Sequence, residues 1–203
     1  MRMAAGQRIE NFTWRSTAGA ILTIPDSDGQ LINLQFSRFA GCPVCNMHFA
    51  SYRSHSADLQ RAGVKVVVVF HSPEVDLVDQ RGDLPFALVS DSYRRYYTAF
   101  GVGTSALALA KPKAFSTLRR EMKAGRSAQR IHGGPFGLPA DFVVEPTGKL
   151  LAAHYGSHAD DTLSVDEVLR IATTWRERGT WPSVAAASAR PAMGTSSRRD
   201  LSR

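Results

Sequence analysis

A chain of 203 residues, 43% apolar and 21% charged, has the length and composition of one globular domain, which excludes a fibre or a wholly disordered chain. A domain of this size buries roughly 70% of the surface its unfolded chain exposes, so it makes a core without disulfide staples. The net charge of +7 does not amount to a nucleic-acid footprint: residues 111–130 carry +6, residues 176–203 carry +4, and the remainder sums to −3, whereas such a footprint is a basic face on the folded body with aromatics for stacking.

The start, Met1 to Arg8, lacks the apolar stretch of a secretory signal, and the longest apolar run, Val66 to Phe70, falls far short of the about 20 residues of a membrane span. A cytoplasmic protein without membrane contact is expected. The opening reads as β-structure, Asn11 to Arg15 and Ala20 to Ile24, then the turn Asp26-Ser27-Asp28-Gly29 and a strand Leu31 to Phe36 with alternating apolar residues. Helical spacing runs from Pro43 to Ala62 and stops at Gly63. Val64 to Phe70 is a strand buried on both faces. Ser72-Pro73 opens a short helix through Gln80, Leu84 to Val89 is a strand, and Asp91 caps a helix through Phe100.

From Thr104 to Arg130 the pattern changes, with one amphipathic helix from Pro112 to Gly125 read as an insertion. Strands Ala140–Glu145 and Lys149–Tyr155 flank the turn Pro146-Thr147-Gly148, a β-hairpin. Ser164-Val165-Asp166-Glu167 is a capping box that starts a last helix through Arg178. The domain therefore spans 1–178, and 179–203 reads as a basic, disordered tail. The strand–helix alternation implies an α/β sheet covered by helices.

Both cysteines sit in Cys42-Pro43-Val44-Cys45, between a strand and a helix. Cysteines three apart at a helix start lie about one turn apart, close enough to bridge. The unpaired N–H groups and positive dipole end of the helix favour a thiolate there. On this reading Cys42 is the exposed, acidic nucleophile and Cys45 attacks the resulting mixed disulfide. Two alternatives stand beside it: a zinc set of Cys42, Cys45 and His48, which lacks a fourth ligand at finger spacing, and inert buried cysteines.

The β-rich opening, Phe39-Ala40-Gly41-Cys42-Pro43-Val44-Cys45, the strand ending at His71-Ser72-Pro73, and Gly137-Leu138-Pro139-Ala140-Asp141-Phe142-Val143-Val144 together resemble the peroxiredoxin-like (AhpC/TSA) branch of the thioredoxin-fold superfamily. The resemblance covers residues 8–175. It implies a thioredoxin-like fold, a central mixed β-sheet flanked by helices, with an N-terminal β-hairpin and the helical insertion. It also implies a cis bond at Leu138–Pro139 facing the cysteine pair. Peroxiredoxins usually carry Thr or Ser three residues before the peroxidatic cysteine and Pro seven before; Phe39 and Gln35 stand there instead, which favours disulfide exchange or a peroxidase resolved by Cys45.

The expected function is a thiol-dependent redox enzyme in which Cys42 attacks a peroxide or a protein or small-molecule disulfide and Cys45 resolves it. An external thiol reductant, such as a thioredoxin or glutathione system, resets the pair, with no cofactor or metal. Pro139 completes the catalytic set, and Leu138, Asp141 and Arg38 are supporting candidates, Asp141 as proton acceptor for Cys45. A redox-inactive thioredoxin-like binding module is the competing class.

Overall fold

The structure is a computed structural model in which residues 1–77, 84–105 and 137–178 are described. The chain opens with an antiparallel hairpin, β1 (Phe12–Arg15) and β2 (Ile21–Ile24). Then follow β3 (Leu31–Phe36), α1 (Pro43–Ser54), α2 (Ser56–Arg61), β4 (Val64–Phe70), α3 (Glu74–Leu77), β5 (Ala87–Ser90) and α4 (Arg95–Ala99). Strands β6 (Ala140–Val144) and β7 (Leu150–Tyr155) and the last helix, α5 (Val165–Glu177), complete it. The main sheet runs β5-β4-β3-β6-β7, with β3, β4 and β5 parallel and β6 and β7 antiparallel to their neighbours. This is the expected thioredoxin-like mixed sheet with its N-terminal hairpin. Among the described residues no helix is long and apolar enough to cross a membrane.

Two expected elements shift for local reasons. The single helix over 43–62 divides at His55 (φ −107, ψ 18), because the Ser54 hydroxyl donates to the Ser51 carbonyl at 2.8 Å and the His55 ring nitrogen Nδ1 lies 2.9 Å from the same oxygen. Such side-chain bonds compete with the helical ladder. The strand expected from Leu84 begins at Ala87, since Pro85 has no N–H to give a ladder. The helix expected over Pro112–Gly125 and the tail 179–203 lie outside the described residues. Thr104 pairs with Gly137 in an antiparallel bridge.

Strand alternation sorts the core into two layers. Ile32, Leu34 and Phe36 of β3 join Val67, Val69, Phe142 and Val144 under Trp14, Tyr97 and Phe100. The opposite face carries Val66, Val68, Phe70 and Val143 under Phe49 and Tyr52 of α1 and Val168, Ala172 and Trp175 of α5. Each large side chain so buried contributes about 1.5–3 kcal/mol. The Trp175 indole N–H donates to Glu145 Oε2 at 2.7 Å, fixing α5 to the end of β6. On this second face β3 presents Asn33 and Gln35, which are 0% and 2% exposed.

Candidate active site

Past Phe36 the chain turns through residues 37–41 into α1. Gly41 has φ +72, a left-handed conformation that glycine adopts without a Cβ penalty, and the Cys42 N–H donates to the Phe39 carbonyl at 3.2 Å. That turn leaves Cys42 as the N-cap (φ −63, ψ 116), with proline at the helix start, where a missing N–H is not needed. The turn is held from behind: the Ala40 N–H donates to Ser72 Oγ at 2.9 Å, and the buried Tyr97 hydroxyl donates to the Ser37 carbonyl, with the Val69 carbonyl 2.9 Å away.

Both cysteines are free and buried, Cys42 1% and Cys45 7% exposed. Cys42 Sγ accepts the Cys45 N–H at 3.5 Å and Arg38 Nη1 at 3.5 Å. Arg38 and Phe39, 2% and 4% exposed, cover this end of the helix, the guanidinium 5.3 Å from the Phe39 ring centre. Cys45 forms part of the wall of a cavity of about 270 Å³; Cys42 does not.

Burial pushes the Cys45 thiol up, but the Cys42 S–H, the Arg38 charge, the Ser37 hydroxyl and the Arg38 backbone N–H together bring it down to about 6. At Cys42, burial and the neighbouring sulfur outweigh the Arg38 charge and the Cys45 N–H, and the pKa rises well above the usual thiol range. The expectation that Cys42 is the more exposed thiol is corrected, because both thiols are buried, Cys42 1% and Cys45 7% exposed, with Arg38 and Phe39 buried at the same helix start.

The cavity floor comes from the sheet. Gln35 of β3 is paired in register with Asp141 of β6, and Asp141 with His154 of β7, so a polar row crosses the face beneath α1. Asp141 Oδ2 accepts the Leu163 N–H at 3.1 Å, and burial pushes its carboxyl up to about 7. His48, from α1, lies 3.1 Å from Thr162 Oγ1 through Nδ1; burial lowers its pKa to about 4, which leaves the ring neutral. A turn at His158–Asp161 forms the rim: Asp161 Oδ2 accepts the Ser157 N–H and hydroxyl, both at 2.7 Å, and its Oδ1 lies 3.0 Å from His154 Nε2. Ala159, Asp160 and Thr162 complete that side.

Pro139 lines the same cavity, but the Leu138–Pro139 bond is trans, and Ile24–Pro25 is the cis bond among the described residues. The expected cis geometry is corrected. With the Leu138 N–H on the Gly103 carbonyl at 3.2 Å and the Pro139 carbonyl accepting from the Gly156 N–H at 2.9 Å, this segment is tied on both sides as it enters β6. Leu138 is buried beside the cavity without lining it. Among the described residues no three Cys, His, Asp or Glu side chains converge as metal ligands, so the Cys42, Cys45 and His48 zinc set gains nothing from the geometry. Sequence reasoning missed Gln35 and Thr162; the one signal for Gln35 was a polar residue alternating with apolar ones in a central strand.

The sequence profile of the AhpC/TSA family matches residues 5–153. The chain belongs to the AhpC/TSA family. Among solved structures it is similar to a Cys-to-Ser mutant of peroxiredoxin 6 of Arenicola marina, with TM-score 0.65 and 18% identity over 88% of this chain and 76% of that one. It is similar to AhpC of Mycobacterium bovis, with TM-score 0.61 and 15% identity over 91% and 98%. A third is a DsbE-type thiol:disulfide interchange protein of Chlorobium tepidum, with TM-score 0.54 and 17% identity over 85% and 97%. A search of curated protein sequences gave no significant match. At these identities the neighbours show the fold, and family membership supports a thiol-dependent redox function.

Proposed function

We propose that the protein is a thiol-dependent oxidoreductase whose Cys42–Cys45 pair passes between dithiol and disulfide, with Cys45 as the attacking sulfur. The observation that carries this reading is that Cys45 stands on the cavity wall and Cys42 does not; the lowering of the Cys45 thiol and the raising of the Cys42 thiol point the same way. The order is the reverse of the expected one, in which Cys42 attacks and Cys45 resolves.

With a disulfide substrate, the Cys45 thiolate attacks one sulfur, forms a mixed disulfide and expels the other half as a thiolate. Cys42 then gives up its proton and attacks Cys45, closing the Cys42–Cys45 disulfide and releasing the second thiol. The substrate gains two electrons and the protein loses two. With a peroxide, Cys45 takes the distal oxygen as a sulfenic acid and the alcohol leaves; Cys42 condenses with it, expelling water. Here the Ser37 hydroxyl, which bonds Cys45, stands in for the hydroxyl absent at Phe39. An external thiol reductant, one dithiol of thioredoxin type or two molecules of glutathione, resets the pair in a reducing compartment such as the cytoplasm. Pro139 bounds the substrate space and Arg38 steadies the pair by its charge.

Reduced protein treated separately with hydrogen peroxide, an alkyl hydroperoxide and bis(2-hydroxyethyl) disulfide should lose both thiols together, and peptide mapping should find Cys42 joined to Cys45. Retention of both thiols under all three oxidants would leave the redox-inactive binding module as the better account.

A further inference from the structure

The cavity beside Cys45 is larger than a peroxide needs and richer in acceptors than a hydroperoxide can use. Its volume of about 270 Å³ is roughly nine times the share of one water in the liquid. Gln35 Oε1, on a side chain 2% exposed, has no hydrogen-bond partner. The Asp141 carboxylate, with about four lone-pair sites when ionised, accepts the Leu163 N–H at Oδ2. His48 Nε2 is likewise unpartnered, and its neutral ring can accept there. Among the described residues the lining carries two carboxylates, Asp141 and Asp160, and no Lys or Arg. Asp160 already lies 3.4 Å from His158 Nε2. Asp141 is in the field of His154, Asp161 and Glu167, two of them acidic, so the floor favours a cation.

We infer that the cavity binds the amine end of a small disulfide, its ammonium seated on Asp141 and Gln35 Oε1 and its S–S bond presented to Cys45. This rests on the reading of Cys45 as the attacking sulfur and adds the substrate's chemistry to it. An ammonium supplies donors to acceptors that otherwise stay unsatisfied in a buried site, and an anionic disulfide of the same length meets like charge. The exchange is the one written above; the ammonium takes no part in the electron balance and serves to hold the sulfurs in place.

The test uses the full-length reduced protein in single turnover with three disulfides of similar length: cystamine, bis(2-hydroxyethyl) disulfide and 3,3′-dithiodipropionate. Each rate is divided by that of free 2-mercaptoethanol with the same compound. Cystamine should lead dithiodipropionate by about tenfold or more, the worth of one charge-assisted hydrogen bond, and Asp141→Asn should collapse that ratio. Equal normalised rates, or a preference for the anion, would overturn the inference while leaving Cys45 exchange intact. No reaction with any of the three would instead count against the exchange reading itself. The cation site is then read independently, by titrating Cys45→Ser protein with 1,6-diaminohexane and with suberate while following the amide signals around Asp141. Selective shifts with the diamine support the site, and none with either compound contradict it.

Discussion

Burial raises the pKa of a carboxyl group that has no dedicated cation, and Asp141 illustrates the consequence. Its folded pKa of about 7 lies above the ordinary aspartate value of about 3.9, so between those limits the folded state binds the proton more tightly than the unfolded state does. Stability from this group therefore falls as pH rises from about 4 to about 7. Asparagine keeps an acceptor for the Leu163 N–H and cannot ionise. Asp141→Asn should be more stable than the wild type by ~1–4 kcal/mol near pH 8 and nearly equal to it near pH 4; urea unfolding at the two pH values checks this, and an equal gap at both would contradict it. The two sulfurs divide in a similar way. Iodoacetamide labelling of the reduced protein should fall on Cys45 with a rate that rises through about pH 6, below the ~8.5 of a free thiol. First labelling at Cys42, or an inflection above ~8, would reassign the thiolate.

At the scale of elements, the start of α5 and the rim of the cavity are one unit. The Ser164 hydroxyl accepts from the Glu167 N–H while Glu167 Oε2 accepts from the Ser164 N–H at 2.8 Å, and the preceding residue, Leu163, holds Asp141. Ser164→Ala should cost about 1 kcal/mol in thermal unfolding; no change would show that α5 is fixed by Trp175 packing alone. Gly156 is tighter still, since a Cβ there would stand 2.4 Å from the Asp161 carbonyl oxygen and 2.7 Å from Pro139 Cγ. Gly156→Ala should destabilise the protein by about 1–3 kcal/mol as the rim shifts, with wild-type stability as the contrary result. The capping box, β3, β4 and the β6–β7 hairpin were legible because periodicity and turn chemistry are local signals. The break at His55 was not, because it turns on which side chains reach one carbonyl. The alternation in Leu31–Phe36 marked a strand, but whether Asn33 and Gln35 faced solvent depended on α1 and α5, elements far along the chain that cover them.

Across the whole molecule, the sheet carries one polar row, Gln35, Asp141 and His154, beside Val68, on a face otherwise packed with apolar side chains. Helix α1 sets Cys45 and His48 over that row. The cysteine motif announced the family, since strand, Cys-x-x-Cys and helix follow one another in the chain. Which sulfur faces the substrate space was not readable there, because Arg38 and Phe39 from one side and β6 from the other decide it in three dimensions. The central claim is that Cys45 is the attacking sulfur, and single-cysteine variants test it most directly. At neutral pH, 4,4′-dithiodipyridine should modify Cys42→Ser protein, which retains Cys45, at least about tenfold faster than Cys45→Ser protein, as expected for a thiolate against a protonated thiol. Equal rates, or faster modification of the protein that retains Cys42, would contradict the account.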